Sequence, residues 1–87
     1  MENSNIITKF QSYDFNSETF QHLNVFLEMK NKFITDNSLN SRIDMKLAYD
    51  NIYHDIKHAM VAKIITNDIF TSLVDLLQEG LWINIPK

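Results

Sequence analysis

Arg42-Ile43-Asp44-Met45-Lys46-Leu47-Ala48-Tyr49-Asp50-Asn51-Ile52-Tyr53-His54-Asp55-Ile56-Lys57-His58-Ala59-Met60-Val61-Ala62-Lys63-Ile64-Ile65 is the stretch whose reading decides the fold. At about 100° per residue, Met45, Ala48, Tyr49, Ile52, Tyr53, Ile56, Ala59, Met60 and Ile64 fall on one broad side, which predicts a long helix over 42–65 with that side against a core. Ile43, Leu47, Val61 and Ile65 form a second, thinner apolar stripe on the opposite side. Asp50, Asn51, His54 and His58 interrupt it in the middle. A helix with two apolar stripes touches two things, so the second stripe predicts a further contact. It is either another helix of this chain, a second copy, or a partner protein.

Working outward toward the N-terminus, Asp36 to Ser41 read as a loop, with Ser41 as N-cap of the long helix and Asp44 three residues on as its capping partner. Before it, Phe20, Leu23, Phe26, Leu27, Phe33 and Ile34 share an arc, with Val25 and Met29 at its edge, which predicts a helix from Ser17 to about Thr35. Asn16 is its expected N-cap, Glu18 sits in the first turn, and Phe15 is placed to meet Phe20 as a hydrophobic staple. Lys30 lies inside the arc. Its stem is expected on the core and its ammonium in water. Residues 1–15 fit a short helix through Ile6, Phe10 and Tyr13, capped by Asn3 or Ser4. A strand alternating Ile6, Thr8 and Phe10 is the other reading, and the helix is preferred.

Toward the C-terminus, Ile64-Ile65-Thr66-Asn67-Asp68 predicts a break, because β-branched residues give way to three that favour caps, and one unbroken helix to Glu79 is the other reading. Thr66 as N-cap, Asp68 in the first turn and Ile65 stapled to Phe70 begin the next helix. That helix carries Ile69, Phe70, Leu73, Val74, Leu76 and Leu77 on one face and polar residues on the other. Gly80, the only glycine, is expected at its left-handed end, with Leu81 folding back on Leu76. Leu81 to Lys87 read as an extended apolar tail. Trp82 within it is a candidate contact for a partner.

The fold class that follows is all-α: a small bundle of three long helices, a short N-terminal helix and an extended C-terminal tail, forming one domain over residues 1–87. Composition agrees. The 87 residues include one Gly, one Pro and no Cys, too little turn punctuation for a multi-stranded sheet. A chain of this length buries only roughly 60 % of its unfolded surface, so stability is expected to be modest.

Composition also bears on function. The absence of cysteine excludes a disulfide framework, a thiol nucleophile and any Cys-based zinc site. No apolar run approaches the about 18 residues of a membrane span, and the start lacks the basic residues of a signal peptide, so the expectation is a cytoplasmic protein without membrane contact. Net charge is −3. Residues 1–36 carry five acids against three bases, 37–67 three against four, and 68–87 three against one. With no basic stripe to meet phosphates, nucleic-acid binding is not expected. A recognition helix starting Ile69-Phe70-Thr71-Ser72 would offer no Arg or Lys to DNA. Asn and Ile, which have A/T-rich codons, are abundant and point to a bacterial or phage source.

Asp50, His54 and His58 rise from one face at i, i+4 and i+8, and two histidines at i, i+4 are a metal-ligand spacing. His54-Asp55-Ile56-Lys57-His58 has the outline of a His-Glu-x-x-His zinc motif, with the shorter Asp in the Glu position. Nothing in the sequence argues for His22 or Glu79 as the third ligand, and no metal, cofactor or small-molecule substrate is expected. With no glycine-rich phosphate loop and no Ser/His/Asp signature, an enzyme is not expected either. Tyr49 and Tyr53 are expected at the rim of the core with hydroxyls reaching water or a partner. The expected partner-binding residues are Leu47, His54, His58, Val61, Ile65 and Trp82.

One resemblance adds to this. Ala59, Lys63, Ile64, Asn67, Phe70, Leu73, Leu77 and Gly80, in the pattern Ala-x3-Lys-Ile-x2-Asn-x2-Phe-x2-Leu-x3-Leu-x2-Gly, resemble the second helical hairpin of small helical bacteriocin and toxin immunity proteins. The match covers about a quarter of the chain. It implies a cytoplasmic stoichiometric inhibitor that occludes a toxin or enzyme by surface complementarity. The expectation from a different class is a self-associating structural or regulatory module, whose second stripe packs on its own copy.

Overall fold

The computed structural model describes residues 2–78, with side chains from Ile6 onward. It is all-α: α1 (Glu2–Gln11), α2 (Ser17–Asp36), α3 (Leu39–Val61) and α4 (Asn67–Gln78), with no strand among the described residues. The helical reading of the N-terminal segment therefore holds over the strand, although α1 begins at Glu2, ahead of the expected Asn3 or Ser4 cap. Gly80, Leu81, Trp82 and the expected extended tail lie outside the described residues. No described helix is long and apolar enough to cross a membrane.

The long helices α2 and α3 make the principal pair, and α4 packs on α3 and α1. Between them lies one core, in which Phe10, Leu23, Phe26, Ile52, Ile56, Leu73 and Leu77 have no exposed surface. It draws on all four helices. The start of α2 follows its sequence signals: the Asn16 side chain accepts the Thr19 N–H at 2.9 Å, and the Phe15 and Phe20 rings meet edge to face at 6.5 Å. At its other end Asn37 adopts a left-handed conformation (φ 53°) and donates its N–H to the Phe33 carbonyl, closing the last turn.

Three positions on α2 differ from the expected arc, the first being Val25, expected at its edge but 47 % exposed. Lys30 is 3 % exposed, so its amine does not reach solvent as expected, and it is not without a partner inside the protein. Helical phase puts it at the centre of the arc formed by Leu23, Phe26 and Leu27, all of them buried, so its side chain starts from the core face of α2. Ile34 shares that phase but falls in the last turn, where it remains 56 % exposed.

The connection to α3 is shorter than the six-residue loop expected. Ser38, not Ser41, is the N-cap: its hydroxyl accepts the Ser41 N–H at 3.1 Å, and the Ser41 hydroxyl accepts the Ser38 N–H at 3.2 Å, a reciprocal capping box. Helix α3 thus starts at Leu39, and Ser41 is buried at its base rather than outside it.

The far end of α3 also departs from the expected boundary. The helix stops at Val61, four residues before Ile65. Lys63 takes a left-handed conformation (φ 64°), with its N–H on the Met60 carbonyl at 3.0 Å and the Ile64 N–H on the Ala59 carbonyl at 2.9 Å. These two bonds are the Schellman pair that ends a helix, formed here without glycine. The turn reverses the phase of the two isoleucines that follow. Ile64, expected inside, is 50 % exposed, and Ile65, expected on the outer stripe, is 4 % exposed and part of the core. Thr66 then caps α4 as expected, its hydroxyl accepting the Ile69 N–H at 3.2 Å.

Candidate interaction face

Because α3 packs inward through Met45, Ala48, Tyr49, Ile52, Ile56 and Ala59, the opposite side of the same helix must face outward. Leu39, Ile43 and Leu47 stand there at i, i+4 and i+8, and they are 70 %, 48 % and 59 % exposed. Residues at this spacing form one continuous ridge along a helix, the surface element that packs into the groove of another helix. The expected loop over Asp36 to Ser41 includes Leu39, which the structure puts at the start of α3. Its spacing of four from Ile43 is the signal that identifies it, once Ser38 is seen to be the cap.

Beyond Leu47 the face becomes polar. Asp50 pairs with Lys46 one turn back at 2.7 Å, an exposed bridge of little energetic weight. Asn51, His54 and His58 follow, all exposed, with the two imidazole rings 6.0 Å apart. Val61, 68 % exposed, closes the helix. Of the expected contact residues, the structure therefore brings Leu47, His54, His58 and Val61 onto one face. Ile65 does not belong to it, because the turn at Lys63 directs it into the core. Trp82 lies outside the described residues.

The expected geometry of the histidines is refined by their neighbours. Asp50 turns toward Lys46, and His22, weighed as a third ligand, instead places Nδ1 2.5 Å from the Asp55 Oδ2. This contact ties α2 to α3 across 33 positions of sequence. No local pattern could have shown it. Glu79, the other third ligand weighed, lies outside the described residues. Among the described residues no three His, Cys, Asp or Glu side chains are grouped as a metal site would require. Beside this face, a groove of about 470 Å³ runs between the α1–α2 turn and the end of α3, with Asp14, Glu18, His54, Asp55, His58 and Ile64 among its walls.

The two tyrosines separate. Tyr49 is buried, stacks near Phe26 and Tyr53 with centroids 5.8 Å away in each case, and its hydroxyl accepts a hydrogen bond from the Gln78 amide at 2.9 Å. Tyr49 thus lies within the core, with its hydroxyl bonded to α4, and not at the rim as expected. Burial pushes its phenol above the ordinary tyrosine value, against a smaller opposing effect of the Gln78 bond. Tyr53 is half-buried and meets Phe70 edge to face at 5.5 Å. Both belong to the α3–α4 contact.

No protein-family model matches the chain, nor does any curated protein or solved structure.

Proposed function

We propose that this chain is a small cytoplasmic binding protein without catalytic activity, which acts by pressing the outer face of α3 against another protein and occluding it. The target is a toxin or an enzyme, inhibited one to one. The observation that carries this reading is the ridge of Leu39, Ile43 and Leu47, three large aliphatic side chains left 48–70 % exposed in line on one helix. Single exposed aliphatics are ordinary, but a contiguous row of them is a site of association. Anchors at i, i+4 and i+8 suit a helix or groove on the partner. His54, His58 and Val61 extend the contact with a more polar half, as a rim extends a hydrophobic centre. The net charge of −3 favours encounter with a basic surface.

A second reading follows from the same ridge. A row of aliphatics that fits a groove on a partner also fits a second copy of the chain, which would make this a self-associating module. Sedimentation of the purified protein separates the two. A monomer at micromolar concentration, with one protein captured stoichiometrically from native cells and lost in Leu47→Glu at unchanged melting temperature, supports inhibition. A tight homodimer dissociated by the same substitution supports self-association. A monomer that captures nothing in a one-to-one ratio contradicts both.

A further inference from the structure

We draw no further inference here: the strongest candidate, the groove between the α1–α2 turn and the C-terminal half of α3, is an acidic and imidazole-lined cleft in which Asp55 is already engaged by His22 and, among the described residues, nothing further points to a ligand.

Discussion

The inner face of α3 and the first half of its outer face are both apolar, yet Ile52 and Ile56 on one keep no exposed surface while Leu39, Ile43 and Leu47 on the other keep about half or more. The difference lies in what each face meets. The inner face is covered by α2 and α4, so its side chains contribute to folding through burial and close packing. On the outer ridge Leu39, Ile43 and Leu47 stay about half or more exposed, so their hydrophobicity contributes less to folding. Hydrophobic character alone does not distinguish the two environments. Phase relative to the neighbouring helices does.

The largest expected effect compares the faces directly. Ile56→Ala is expected to destabilise the protein by about 2–5 kcal/mol, as a buried large-to-small change, while Leu47→Ala on the outer ridge is expected to shift stability by less than about 0.5 kcal/mol. Urea titrations of the two variants measure this. Equal losses would show that the ridge is packed in the folded chain.

Ile64 and Ile65 sharpen the contrast at the end of the helix, where adjacent and chemically identical side chains are assigned opposite environments. Ile65→Ala is expected to cost about 2–5 kcal/mol and Ile64→Ala at most about 0.5 kcal/mol. The reverse order would place the end of α3 beyond Ile65 and return that residue to the outer stripe.

A smaller effect concerns the inner face alone. Because the Tyr49 phenol titrates above its unfolded value, its contribution to stability is complete below about pH 10 and is lost as pH rises through the raised folded value. The unfolded state gives up this proton first. Urea midpoints measured at pH 8 and pH 10.5 should fall further for the native sequence than for Tyr49→Phe. An identical fall in both would remove Tyr49 from the buried set.

The smallest effect tests the turn that produces the reversal. A non-glycine residue in the left-handed region carries about 1–2 kcal/mol of strain, and glycine loses about 0.5–1 kcal/mol more chain entropy on folding. Lys63→Gly should therefore stabilise the protein by about 0.5–1 kcal/mol. A loss of stability in thermal melts would mean that Lys63 contributes through its side chain rather than tolerating its conformation.

Much of the fold was legible because its signals are local. Asn16 as a cap, Phe15 and Phe20 as a staple, Thr66 as a cap, and the periodicity of Leu73 and Leu77 each depend on residues within one or two turns. The inner face of α3 was legible for the same reason. Both ends of α3 were misplaced by rival local signals: Ser38 and Ser41 are equally good caps, and Lys63 carries none of the usual marks of a left-handed residue. The turn at Lys63 exchanges the environments of Ile64 and Ile65, so a residue with the phase of the outer stripe enters the core. Lys30 had the phase of a buried residue, but its chemistry argued for an exposed amine, and phase prevailed. Contacts between elements, such as His22 with Asp55 or Gln78 with Tyr49, leave no trace in local sequence. The outer ridge was half legible, through Ile43 and Leu47, and needed the true helix start to include Leu39.

The role proposed for the outer face of α3 is association and not folding. It is tested most directly by measuring the melting temperature and the sedimentation mass of Leu47→Glu and Val61→Glu beside the native protein, alone and mixed with whatever protein the native chain captures. Each substitution would place a charge in a desolvated contact. An unchanged melting temperature with loss of the complex is expected, whether with a partner or with a second copy. Collapse of the fold in both variants would contradict it, because the ridge would then be covered by the chain itself.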